Sequence, residues 1–293
     1  MNIENIAAKT LGDSTSYAIY TDTFNSSLLN PMPRELARST LPVLMKCFVG
    51  YDVWHCYEST FLLNNGMPIA GTLKFVYDSN SEFMIESKSM KLYLNSFDMC
   101  KMGSDRKTAT QNYINQIKQD LEQVLQTTVH INFFDSLIFD TLNFYSFDNF
   151  TDIATLVSDD LLIDDHQSDN NYIEKTNEFN GHFYTNILRS RCRHTRQKDT
   201  GSAYLYQYGP EYITPASFIK QVISLREQNE FHEFCAEKLF NQIASKIDND
   251  FYIALLYSRR GSLDINPVRG TSVEKLPQSF IDVNILHTKI QGQ

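Results

Sequence analysis

The chain is expected to fold as an α+β protein, and three observations in the sequence lead there. Strand-like and helix-like stretches alternate without a regular βαβα rhythm, no Gly-x-Gly-x-x-Gly follows a strand, and an acidic tract separates two halves of similar length. In the first half, residues 69–77 and 83–93 read as successive strands, with β-branched and aromatic residues between turn signals. Residues 107–126 read as a helix with apolar residues at Ile114, Ile117, Leu121 and Val124, and residues 129–134 return as a strand. The tract 158–171, rich in Asp and Asn, is expected as an exposed connector, which sets the units at 1–157 and 181–293 with the connector at 158–180. Downstream, residues 184–188 and 203–208 resemble strands, and Thr214-Pro215 is a helix start with a capping hydroxyl and proline at the first helical position. The helix beginning there carries Phe218, Ile219, Val222 and Ile223 on one stripe; a second carries Phe231, Phe234, Cys235, Leu239 and Ile243. A strand over 251–257 then runs into Arg259-Arg260-Gly261. Strands broken by helices in both halves suggest an internal duplication, although the two halves are not alike enough to establish a repeat.

Composition bounds the function class. A chain of 293 residues with 42% hydrophobic and 21% charged residues can bury one large core or two medium ones. A formal net charge of -9 disfavours general nucleic-acid binding through counterion release. There is no run of about 18 uncharged apolar residues, and the start Met1-Asn2-Ile3-Glu4-Asn5 lacks a basic region followed by an apolar one, so a cytosolic protein without membrane contact is expected. Cys47, Cys56, Cys100, Cys192 and Cys235 are scattered and form no Cys-x-x-Cys pair, which argues for reduced thiols over a disulfide framework or a cysteine-rich zinc site.

The segment Glu86-Ser87-Lys88-Ser89-Met90-Lys91-Leu92-Tyr93-Leu94-Asn95-Ser96-Phe97 sets charge into an apolar frame. Taken as extended, it places Glu86, Lys88, Met90, Leu92 and Leu94 on one side and Ser87, Ser89, Lys91 and Tyr93 on the other. Such a strand either serves a site with its polar groups or is an edge guarded by lysines. Cys192 lies in the most basic window, 188–199, where nearby cations would favour a reactive thiolate; the same window would alternatively bind phosphate or RNA. Asp199 is either a turn residue or, beside a nucleophilic thiol, the donor that quenches charge on a heteroatom. At the start of the second downstream helix Glu230 is expected as a cap, whereas Glu233 next to His232 suits bidentate acceptance from the ring N–H and exocyclic amine of a purine-like base. Gly261 permits close backbone approach and its neighbouring arginines suit phosphate, unless the turn is merely solvated.

In this order these residues resemble the long form of the NADPH-dependent nitrile reductases, which convert 7-cyano-7-deazaguanine (preQ0) to 7-aminomethyl-7-deazaguanine (preQ1) in the synthesis of queuosine for tRNA. The stretch from Glu86 to Phe97 resembles the family's signature, and the likeness runs from Leu28-Leu29-Asn30-Pro31-Met32-Pro33-Arg34 and Gly50-Tyr51-Asp52-Val53-Trp54 to Asp264-Ile265-Asn266-Pro267. The resemblance implies tandem tunnelling-fold units, antiparallel sheets with helices packed on one face, and a homodimer. It implies that Cys192 adds to the nitrile carbon to form a thioimidate, that Asp199 protonates the nitrogen, and that two NADPH complete the reduction. It implies further that Ile85, Glu86, Ser87, His232 and Glu233 bind the deazaguanine, with His232 assisting proton transfer, and that Ser87, Lys88, Arg260 and Gly261 contact the cofactor. No metal and no nucleic-acid or membrane partner is expected. The sequence departs from the family around the cysteine, where Arg191, Arg193, His194 and Lys198 stand in place of smaller residues and Thr200, not an aromatic, follows Asp199. A cyclohydrolase of the same fold would need zinc ligands that the sequence does not offer, and an RNA-binding module is opposed by the acidic balance.

Overall fold

The computed structural model describes residues 23–39, 47–137, 142, 144–163, 166, 169–179, 181–193 and 195–288. Its centre is a nine-stranded sheet. The seven long strands are β1 (Val49–Leu63), β2 (Pro68–Asp78), β3 (Val129–Asp135), β4 (Phe183–Arg191), β5 (Lys198–Gln207), β6 (Phe251–Tyr257) and β7 (Leu263–Gly270). They lie in the order β3-β2-β1-β7-β6-β5-β4, antiparallel at every pairing. Two short strands complete the sheet, Lys101–Gly103 parallel to β1 and Thr151–Asp152 parallel to β4. The halves meet inside this sheet: β7 runs against β1 with Ile265 opposite Trp54 and Arg269 opposite Gly50.

The helices are α1 (Arg34–Arg38), α2 (Ser87–Asn95), α3 (Arg106–Leu125), α4 (Pro215–Ser224), α5 (His232–Ala244) and α6 (Gln278–Ile281). Asp105 caps α3 by accepting from Thr108 N–H, and Thr214 caps α4 ahead of Pro215. Tyr113, Ile117 and Leu121 of α3 pack with Trp54, Phe75 and Phe133, while Phe218, Val222, Leu239 and Ile243 of α4 and α5 pack with Leu205, Ile253 and Leu255. Trp54 faces Ile265, and Arg269, four residues along β7 on the same side, faces Ile253. Side chains alternate along strands, so both helix layers cover one face of the sheet.

The other face, with Val53, Ala254 and Val268, lies under Leu276 and Phe280 and under the partly buried Tyr145, Phe147 and Phe150. Lys74 reaches through this layer to donate to the carbonyls of Phe280, Asp282 and Ile285 at 2.7, 2.8 and 2.6 Å, fastening the C-terminal segment to β2. Burial pulls its pKa down to about 7, and the charges of Asp282 and Asp264 work against that pull.

The strand expected over 83–93 ends at Ile85, where the three residues Phe83–Ile85 pair with Pro31–Pro33. Beyond Ile85 the chain turns helical, because both Glu86 carboxylate oxygens accept backbone N–H groups, from Lys88 at 2.9 Å and Ser89 at 2.7 Å, and so cap α2. The alternating reading overlooked the helical spacing of Met90, Tyr93, Leu94 and Phe97, all buried. Within the acidic tract, Ser158, Asp159, Asp160, Asp169, Asn170 and Asn171 are exposed, whereas Asp164, Asp165, Gln167 and Ser168 lie outside the described residues, as do His194 and the N-terminal start.

Candidate active site

A cavity of about 320 Å³ opens where the start of α2, the β4–β5 loop, the entry to α5, the β6–β7 turn and the start of β7 meet. Ile85, Glu86, Ser87, Lys88, Cys192, Asp199, His232, Glu233, Arg260 and Gly261 all line it, so every residue singled out in the sequence comes to one space built from both halves of one chain.

Cys192 sits in the tight loop between β4 and β5. Its N–H donates to the Gln197 carbonyl at 2.8 Å and its carbonyl accepts from Arg196 at 2.9 Å, with Arg196 at φ 54. The thiol is partly exposed to the cavity. Two of the five arginine and lysine side chains in the basic window around it are compensated. Arg191 pairs with Glu227 at 2.7 Å, and Arg193 donates to both Glu230 oxygens at 2.9 and 2.8 Å. These cations therefore act on the thiol less than their number in the sequence suggests. Glu230 is not the cap of α5 either. Phe231 holds that position without a side-chain bond, and the Glu230 carboxylate is committed to Arg193.

Asp199 lies at the start of β5, buried, in an ion pair with Arg260, whose Nη2 also donates to Gln197 Oε1 at 2.8 Å. His232 Nε2 stands 3.5 Å from Asp199 Oδ2, and the imidazole stacks on Tyr257 with centroids 3.6 Å apart and planes 5° off parallel. Burial lowers the His232 pKa to about 4, against the raising effect of Glu233 and Asp264, so the ring is neutral at pH 7. Its Nδ1 is buried and finds no hydrogen-bond partner among the described residues.

Two buried carboxylates line the cavity. Burial raises the Glu86 pKa while the two backbone N–H groups oppose it. Burial pushes Glu233 up to about 7; Asp52 adds to the shift, and Arg34 and His232 work against it. Opposite, Gly261 and Ser262 have φ 56 and 71 and close a two-residue hairpin turn in which Arg260 and Leu263 exchange backbone hydrogen bonds at 2.8 and 3.2 Å. A Cβ on Gly261 would lie 3.1 Å from Lys91 Nζ, the movable end of a lysine, so glycine is favoured here chiefly by the left-handed backbone.

Lys91 and Asp264 line the cavity but were not singled out for the site. Lys91 lies one helical turn beyond Ser87 and Lys88 in the same segment, and a helical reading would have placed it beside them. Burial opposes the Asp264 charge, yet His55 Nδ1 at 2.8 Å and the Tyr57 hydroxyl at 2.5 Å hold its pKa below the usual range.

A family model described as the N-terminal part of the nitrile reductase 7-cyano-7-deazaguanine-reductase matches residues 20–133. The chain is 34% identical over 267 residues to a protein of Coxiella burnetii named NADPH-dependent 7-cyano-7-deazaguanine reductase, covering 89% of this chain and 91% of that protein. A protein of the same name from Colwellia psychrerythraea is 30% identical over 285 residues, covering 94% and 96%. With both halves matched by relatives of that name and the signature residues gathered at one cavity, the chain belongs to the 7-cyano-7-deazaguanine reductase family of nitrile reductases.

Proposed function

We propose that the protein reduces the nitrile of preQ0 to the aminomethyl group of preQ1 with NADPH, through a covalent thioimidate on Cys192. The observation that carries this reading is the meeting of a partly exposed thiol, a buried carboxylate, a neutral imidazole and two buried glutamates in one cavity. Cys192 Sγ adds to the nitrile carbon, and the thiol proton passes by way of Asp199 to the nitrile nitrogen, which leaves a neutral thioimidate. Asp199 can accept that proton because Arg260 holds it as a carboxylate beforehand. Glu233 accepts the N–H pair on the deazaguanine, and its buried position makes the absence of either donor costly.

The geometry suits the cofactor expected from the relatives' names. Ser87 and Lys88 lie in the first turn of α2, and the bare Gly261 backbone leaves open the space before Lys91 Nζ, where a phosphate would meet lysine ammonium groups. The chemistry that NADPH supplies when bound is hydride transfer, two equivalents with two protons taking C≡N to CH2–NH2. The same reading puts the product in queuosine synthesis and expects tandem tunnelling-fold units in a homodimer.

The test is NADPH absorbance followed with preQ0; no oxidation of NADPH would sink the reading. An Asp199→Asn variant is expected to lose about 10²-fold or more in rate, because the amide cannot relay the proton. Full rate in that variant removes Asp199 from the mechanism.

A further inference from the structure

Behind Glu233 the cavity wall continues into a set of buried charges. Glu233 and Glu237 lie one turn apart on the buried face of α5, 2% and 0% exposed. Glu237 accepts from Arg269 Nη2 at 3.1 Å and from Arg38 at 2.8 and 2.9 Å. Asp52 on β1 contacts Arg34 Nη2 at 2.5 Å and Arg269 Nη1 at 2.9 Å. Arg34 is further held by Ser81 Oγ at 3.0 Å, and α1 packs on the start of α5, with Ala37 and Phe234 in one apolar cluster.

Three guanidinium groups, Arg34, Arg38 and Arg269, thus face two carboxylates, Asp52 and Glu237, which leaves one positive charge in excess. Two of their donors, Arg34 Nη1 and Arg269 Nε, are buried without a hydrogen-bond partner among the described residues. A buried, unbalanced charge is costly unless a counter-charge lies near, and the next carboxylate along α5 is Glu233.

We infer that Arg34 is a positioning residue for Glu233: the buried Arg34–Asp52 pair next to the cavity wall acts on the Glu233 carboxyl, Arg34 favouring its charge and Asp52 opposing it, so that Arg34 and Asp52 set the pH range of base binding in opposite senses. This rests on the reading that Glu233 accepts from the base. The charged and titratable groups acting on Glu233 are Arg34 of α1, Asp52 of β1, His232 of its own helix, Tyr77 of β2 and Tyr257 of β6, with Glu237 a turn further along. Burial drives both phenols well above their ordinary range and keeps His232 neutral near pH 7, so Arg34 and Asp52 carry the charge that matters there.

The experiment measures binding of 7-deazaguanine, which has the base edge and no nitrile, from about pH 5.5 to 9 by calorimetry. It compares the wild type with Arg34→Gln, Arg34→Lys and Asp52→Asn, alongside preQ0 turnover by the wild type. Wild-type binding is expected to strengthen as pH rises through about 7. Arg34→Gln should move that midpoint up by about one pH unit and Asp52→Asn down by about one, while Arg34→Lys keeps it in place. A merely structural role would weaken binding in all variants without opposite shifts. Unmoved midpoints, or shifts in the same direction, in a wild type that turns over preQ0 overturn the inference. A wild type that does not oxidise NADPH overturns the functional reading and this inference with it. If Arg34→Gln fails to fold, Asp52→Asn decides: a downward shift supports the inference, and no shift or an upward one overturns it.

Discussion

Cys192→Ala is expected to lower turnover of preQ0 by about 10³-fold or more and to abolish the covalent adduct seen by intact mass. The loop around Cys192 is held by its backbone, through Gln197 and Arg196, and not by the sulfur, so alanine should leave the loop in place. The thiol is partly exposed, and removing it opens no buried void. The loss would therefore be chemical. The hydroxyls of Ser87, Thr195 and Ser258 share the cavity but are far weaker nucleophiles than a thiolate at neutral pH. Equal turnover by the alanine variant, or an adduct that survives in it, would contradict the assignment.

Glu233→Gln should push function and stability in opposite directions. With its pKa raised to about 7 from 4.5, the folded state holds a proton that the unfolded state has lost between those values. The folded protein binds more protons there, so stability falls as pH climbs from 4.5 to about 7, and the deficit persists above. The full difference corresponds to about 3 kcal/mol. Glutamine carries no such cost, so its Tm should exceed that of the wild type by several degrees at pH 8, with the gap closing toward pH 4.5. His232, lowered to about 4, stays neutral in the folded state of both proteins across this window. Binding should suffer instead. The amide offers one acceptor where the base needs two, and kcat/KM is expected to fall by about 10²-fold or more. A variant no more stable than the wild type at pH 8 would show that the carboxylate is not held at a cost. One with unchanged kcat/KM would remove Glu233 from base recognition.

Much of the architecture was legible because it rests on local signals. The helical stripe of α3, the Thr214-Pro215 start of α4 and the strand over 251–257 all stand where periodicity and capping put them. The stretch after Ile85 was not, since two lysines, three serines and an asparagine among apolar residues satisfy a period of two nearly as well as 3.6. The Glu86 cap, together with burial of Met90, Tyr93 and Leu94 against the first-half core, decides for the helix. The pairing of two arginines near Cys192 was not legible for a related reason: Glu227 and Glu230, their partners, come from another part of the chain.

By itself, the sequence determined the mixed α+β class, the reactive residue types and, through their order, the family they resemble. Only the tertiary structure decided that both halves share one sheet and one cavity, that Asp199 faces Arg260, and that Glu233 leans on charges from α1 and β1. The reason is physical. Residue identity and spacing set what a group can do, but its charge state and aim depend on burial and on partners brought close through space, often from more than a hundred residues away.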